Sequence, residues 1–153
     1  MSAPSFYRWL SLGAGAFLFF LVDLITKLWF FGYEAPLLGL LIRFERHENH
    51  GLSFNIPVPG FIPLFVAMIA ITTCVVYFYK SHTSLSLGQK VALALFIGGT
   101  LGNAYDRFIF GYVRDWIAIY RSIFNLADVF ILIGLGLLLT KYSVAAPTPD
   151  KLR

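Results

Sequence analysis

Charge and cysteine are what this sequence has least of. Only 13% of its 153 residues are Asp, Glu, Lys or Arg, about half the ~25% of a soluble globular domain. A chain this poor in charge, 58% hydrophobic and with a mean hydropathy of +0.75, has too little polar surface to be solvated all round. The bilayer is its solvent, and one membrane domain is the natural reading of its length. The single cysteine, Cys74, excludes an internal disulfide and any multi-cysteine metal site. It lies in an apolar run, as a small buried hydrophobe does. There is no run of like charge: the formal charge of +4 is scattered along the chain. That excludes nucleic acid as a partner and leaves anionic phospholipid headgroups as the natural contact of the basic residues. His47 and His50 lie three apart in a polar stretch with no third ligand at suitable spacing, so no metal and no other cofactor is expected. No long internal repeat is visible.

What is present are four apolar segments, at residues 7–31, 61–79, 90–108 and 125–141. Each is close to the ~20 residues that cross about 30 Å of hydrocarbon as a helix. The first reads as a retained span and not a cleaved leader: it has no basic start beyond Arg8, its apolar run is too long, and no small-residue cleavage site follows. Trp29, Phe30 and Phe31 mark its interfacial belt. Residues 32–60 differ, because Pro36, Pro57, Pro59, Gly39, Gly51 and Gly60 break any long helix. Ile42 and Phe44 alternate with Arg43 and Glu45, and Leu52, Phe54 and Ile56 with Ser53 and Asn55. With the turn-like Asn49-His50-Gly51 between them, this predicts a short hairpin or small sheet outside the bilayer. The segment at 61–79 carries no charge and contributes packing. In the third, Gly98 and Gly102 form a small-xxx-small pair that admits a neighbouring helix. Residues 109–124 read as an aromatic, mixed-charge loop in which Trp116 and Tyr120 are placed to cover a site. Asn125 suits an N-cap, with Asp128 at the third helical position, where a carboxylate favours the helix dipole. Residues 142–153, with Pro147 and Pro149, read as a flexible tail. The expected class is an all-α membrane protein of four transmembrane helices, with a small extracytoplasmic β region between helices 1 and 2.

The polar residues of the apolar segments carry the functional signal. Residues 98–128 hold three of the eight acids, Asp106, Asp115 and Asp128, with Asn103 and Asn125. A carboxylate at the centre of a membrane helix costs about 2.5–3.5 kcal/mol on insertion scales, so such groups mark function. Asp23 and Lys27 are four apart and share a helix face. Four spans in alternating directions bring Asp23, Lys27, Asn103, Asp106, Arg107, Asp115, Asn125 and Asp128 to one layer, with the Asn49 loop. Two of those carboxylates, sharing a proton, can hydrolyse a peptide bond at the membrane surface. From the residues alone, the partner of Asp128 is either Asp115 or Asp106. Lys and Arg divide six against six between the two sides. Discounting Lys27 and Arg107, which have roles in the site, places both termini in the cytoplasm. The competing class is a small proton- or ion-coupled membrane transporter. It suits the sequence less, because its acids would sit near the midplane, commonly in repeated halves.

At these residues the chain resembles the lipoprotein signal peptidase family (signal peptidase II, prolipoprotein signal peptidase), bacterial inner-membrane aspartic proteases. Asp23-Leu24-Ile25-Thr26-Lys27 matches the family's D-x-x-[ST]-K, and Asn49-His50-Gly51-Leu52-Ser53-Phe54 resembles its N-x-G-x-x-F. The stretch Gly98 to Arg107 matches G-G-x-x-G-N-x-x-D-R, Val113-Arg114-Asp115-Trp116 resembles V-V-D-F, and Phe124-Asn125-Leu126-Ala127-Asp128 matches F-N-x-A-D. The match covers nearly the whole chain. It departs at Arg114 and Trp116, which replace an apolar residue and a Phe, at Ser122-Ile123-Phe124, which lacks a frequent proline, and at His50, Leu52 and Ser53, where small residues are commoner. The resemblance implies that Asp115 and Asp128 are catalytic, without a metal or cofactor. It implies that Asp23, Lys27, Asn49, Gly99, Asn103, Arg107 and Asn125 support the pair or touch substrate. The adjacent Arg107 suggests that Asp106 is a paired, structural carboxylate, and the family pattern agrees. The implied substrate is a prolipoprotein with a diacylglyceryl group on its lipobox cysteine, cut just before that cysteine at the extracytoplasmic surface. Sensitivity to globomycin is implied as well.

Overall fold

The structure, a computed structural model, describes residues 3–39, 41–51 and 58–143. In chain order these form α1 (Ala3–Phe30), β1 (Ala35–Leu38), β2 (Ile42–Asn49), α2 (Phe61–Ser81), α3 (Leu87–Phe110), β3 (Val113–Ile119), β4 (Ser122–Phe124) and α4 (Leu126–Ser143). Two helices, over Phe6–Phe30 and Phe61–Ser81, are long and apolar enough to cross a membrane, and Leu126–Leu139 is a shorter apolar helix. The expected start of the third helix at residue 90 moves back to Leu87. Ser86 caps it: its hydroxyl accepts from the Gln89 N–H while the Gln89 side chain accepts from the Ser86 N–H. Gly111 ends the helix in the left-handed region at φ 81°, its N–H on the Arg107 carbonyl.

α3 is the central helix and packs on α1, α2 and α4. Missing side chains let its neighbours in. A Cβ at Gly98 would lie 2.6 Å from the Ala16 carbonyl oxygen of α1, and one at Gly99 would lie 2.5 Å from the Ala127 carbonyl oxygen of α4. One at Gly102 would overlap the Asp23 carboxylate. Each is backbone or buried charge that cannot step aside, so these three glycines set the helix spacing.

The sheet corrects two expectations. It is a four-stranded antiparallel sheet in the order β1-β2-β3-β4, and half of it comes from residues 113–124, within the stretch expected to be a loop. The strand pairing β2 is therefore not its sequence neighbour. Ile42 lies opposite Ile119 and Asn49 opposite Val113, more than sixty residues further on. The expected second strand at 52–56 lies outside the described residues, as do residues 144–153 of the expected tail. The class is thus four helices with a small antiparallel sheet, and "all-α" understates it. The pattern of β3, VRDWIAI, lacks a polar face because both faces are covered: Val113, Arg114, Asp115, Trp116 and Ala118 are all buried.

Between Phe44–Ile117 and His47–Asp115 the register slips, with three steps along β2 matched by two along β3. This extra residue is a β-bulge, which bends its strand and re-aims the side chains beyond it. Trp116 does not form a cover. It is 7% exposed and stacks on Phe30, with ring centroids 4.7 Å apart, while Phe30 stacks in turn on Phe44. This aromatic stack ties the sheet to the end of α1. Tyr120, in the β3–β4 turn at φ 55°, is exposed.

Candidate active site

The carboxylates collect where α1 ends, α3 ends, α4 begins and β2 and β3 pair. Two linked layers are present. In the inner one, Lys27 is fully buried and its ammonium has three partners: Asp23 Oδ2 at 2.8 Å, Asp106 Oδ2 at 3.1 Å and Asn103 Oδ1 at 3.0 Å. The Asn103 contact is a hydrogen bond and the two carboxylate contacts are ion pairs, so the buried charge is compensated. Asp23 reaches across to α4 as well, where its Oδ1 accepts from the Ala127 N–H at 2.9 Å. Asp106 does not pair with Arg107, as its position in the sequence suggested. It pairs with Arg114, whose Nε and Nη2 donate to Oδ1 at 3.1 and 2.7 Å, and whose backbone N–H donates to Oδ2 at 3.0 Å. Arg107 instead donates to the Gly51 carbonyl at 2.8 Å and to the Asn103 carbonyl at 3.3 Å.

The outer layer contains Asp115, Asp128 and three asparagines. Asn125 is the N-cap of α4, and its cap is reciprocal: Asn125 Oδ1 accepts from the Asp128 N–H at 3.1 Å, and Asp128 Oδ2 accepts from the Asn125 N–H at 3.2 Å. The helix-end explanation of Asp128 is therefore true as far as one oxygen goes. The other, Oδ1, accepts from Asn103 Nδ2 at 2.8 Å. Asn125 Nδ2 donates to Asn103 Oδ1 at 3.1 Å and to Asp115 Oδ1 at 2.6 Å. One asparagine thus holds both carboxylates. Asn49, past the bulge of β2, donates to Asp115 Oδ2 at 3.0 Å, and its own Oδ1 accepts from the Gly51 N–H.

Asp115 is fully buried while Asp128 is half-buried. Burial lifts the Asp115 carboxyl from its ordinary 3.8 to about 7, the charge of Asp128 adds to the rise, and the amides of Asn125 and Asn49 oppose it by favouring the ionised form. A carboxyl that keeps its proton near neutrality, beside a second carboxylate, is the acid–base pairing of hydrolytic carboxylate dyads.

Asp128 opens onto a cleft of about 560 Å3 between α2, α3 and α4, and Asn49, Asn103, Arg107 and His47 line it with mostly apolar side chains, among them Val66, Ala70 and Ile131. Asp115 is fully buried, and Val113, two residues before it on β3, lines the cleft. His47, opposite Asp115 in the register, belongs to this wall and not to a solvated loop; His50 is exposed. Among the described residues no group of three His, Cys, Asp or Glu is arranged for a metal.

The structure thus joins Asp23, Lys27, Asn49, Asn103, Arg107, Asp115, Asn125 and Asp128 in one network. Gly99 belongs to the α3–α4 contact and not to the cleft wall. Arg114 was missed as a member. Its signal was present: an isolated arginine in an apolar strand pattern needs a buried acid, and Asp106 lacked a distant partner.

Residues 15–144 match the family described as signal peptidase (SPase) II. The chain is 34% identical over 125 residues to a lipoprotein signal peptidase of Brucella ovis, covering 76% of each chain. It is 30% identical over 125 residues to one of Clostridium novyi, covering 74% of this chain and 84% of that one. Two solved structures of bacterial membrane enzymes share the fold. One has a TM-score of 0.78 at 22% identity over 94% of each chain; the other has 0.75 at 24% over 89% of this chain and 94% of that one.

Proposed function

The chain belongs to the signal peptidase II family, and from that membership we propose that Asp115 and Asp128 are the catalytic pair. The protein is an aspartic peptidase of the signal peptidase II type that processes prolipoproteins. The observation that carries the assignment is Asn125, whose side chain and backbone hold both carboxyl groups at the start of α4.

Two neighbouring carboxyl groups cannot both ionise cheaply, so the pair keeps one proton and titrates as a unit. Asp115, buried and lifted to about 7, is the member that holds it. Asp128 faces the cleft and receives N–H donors from Asn103 and Asn125. Asp128 takes a proton from a water in the cleft, and the water attacks the scissile carbonyl carbon. Asp115 donates toward the developing oxyanion, and the proton gained by the pair goes to the leaving amine. No acyl-enzyme forms.

The substrate carries a diacylglyceryl group on its lipobox cysteine and is cut before that cysteine. The apolar lining of the cleft suits a signal helix and acyl chains better than a polar peptide. All four helices span the bacterial inner membrane among its phospholipids, with both termini cytoplasmic and the pair near the extracytoplasmic surface. Globomycin-type cyclic peptides inhibit it.

The test is cleavage of a diacylglyceryl-modified precursor by the purified protein, beside the same precursor without lipid. The expected result is cleavage of the first only, and none by folded D115N or D128N. Equal cleavage of both precursors overturns the substrate assignment. Normal turnover by either variant removes that residue from the pair.

A further inference from the structure

Arg114 stands next to Asp115 on β3 and is 7% exposed. Alternation along a strand sends the two side chains to opposite faces. Asp115 goes to Asn49 and Asn125, Arg114 to Asp106 on α3. One carboxylate therefore grips residue 114 twice, with Oδ2 on its backbone N–H and Oδ1 on its guanidinium. The guanidinium also lies 4.5 Å from the ring centroid of Phe110, at the end of the same helix. Through Lys27 the same Asp106 is joined to Asp23 and to Asn103, and Asn103 holds Asp128. With two acids and two bases, the inner layer is neutral by formal count, and Arg114 supplies one of its two positive charges.

We propose that Arg114 is a positioning residue for Asp115: its fork on Asp106 fixes the strand that carries Asp115 against α3, and its charge balances the buried acids beneath the pair. The inference rests on the reading of Asp115 as catalytic. Arg114 touches neither the cleft nor the pair and acts through Asp106 and the β3 backbone. Among the described residues, the groups around Asp115 are Asp128 and Asn125 from α4, Asn49 and its register partner His47 from β2, Lys27 from α1 and Arg107 from α3, with Asn103 reached through Asn125. R114M changes none of them. It leaves Asp23 and Asp106 against Lys27 alone, one negative charge in excess, which disfavours a further negative charge on Asp115.

The experiment is the pH profile of kcat for wild type, R114M, D106N and the double variant on a diacylglyceryl-modified precursor. D115N serves as the control for the underlying reading. R114M is expected to move the alkaline fall of kcat upward by about half to one pH unit, D106N to move it downward by a similar amount, and the double variant to return it, since charge is again balanced. R114K keeps the charge and loses the fork. Its pH profile is expected to match wild type, with kcat severalfold lower. Profiles of R114M and D106N that overlay wild type, whatever their rates, overturn the proposal. Should R114M fail to accumulate, R114K decides: wild-type kcat overturns the proposal, and a lowered kcat at an unchanged profile supports it. An inactive D115N with unmoved profiles refutes this inference alone, whereas an active D115N refutes the reading beneath it.

Discussion

At one end of the helix bundle Leu12, Ala16, Cys74, Phe78, Leu85, Leu93, Ala94 and Ile97 form an apolar core, with Trp9 edge-on to Phe78 at 4.7 Å. At the other end the buried side chains include Asp23, Lys27, Asn49, Asn103, Asp106, Arg114, Asp115 and Asn125. The same helices, α1 and α3, run through both ends. The apolar end is held by dispersion and shape, which are short-ranged, additive over many contacts and tolerant of a swap of similar volume. The polar end is held by paired charges, where deleting one partner leaves another buried and uncompensated. The contrast puts the groups whose loss costs most at the end proposed as the active site.

The sharpest way to break that contrast is at the pair. D115N and D128N are each expected to lower kcat/KM on a lipidated precursor by about 10^3-fold or more while the protein stays folded and membrane-inserted. Loss of folding in step with activity would make the polar end merely structural. Next in size is K27M, which removes the cation between two buried acids, leaving Asp106 to Arg114 and Asp23 to the Ala127 N–H alone. It is expected to lower stability by about 3–5 kcal/mol, read by denaturant unfolding in detergent. A change under 1 kcal/mol would mean that water already solvates these groups. N49A removes a donor that favours ionised Asp115, so the carboxyl titrates higher. The wild-type rate is expected to fall as pH rises through about 7, when the pair loses its shared proton, and in N49A that fall moves upward. A downward move would contradict the sign of the Asn49 contribution. At the apolar end F78L is expected to cost about 1 kcal/mol and leave kcat/KM of the folded protein unchanged. The smallest effect belongs to W116F. The Trp116 indole N–H is buried and has no hydrogen-bond partner among the described residues, so losing it is expected to change stability by under about 1 kcal/mol.

The same division explains what could be read from the chain. Helices are legible because a long apolar run has few other outcomes, and the acids converge as expected because α3 packs on both α1 and α4. The strands at 113–124 were harder. Their pairing is with β2, a partner far away in sequence, and local pattern does not report such a partner. β3 is buried on both faces, so it lacked the clean alternation that marks β2 at Ile42 and Phe44. Adjacency points from Asp106 to Arg107, yet neighbours in a helix point apart, and the true partner is seven residues past Arg107 on a strand. Asn125 was read as a cap, which it is. That it also holds Asp115 depends on the sheet, and only the fold contains that information.

The measurement that bears most directly on the central claim, one proton held between Asp115 and Asp128, is the infrared titration of the carboxyl C=O stretch in wild type against D115N. A shared proton gives a protonated carboxyl band in wild type that disappears as pH rises through about 7 and is missing from the D115N spectrum. A wild-type spectrum with no such band at pH 5, or a band that persists unchanged in D115N, would contradict it.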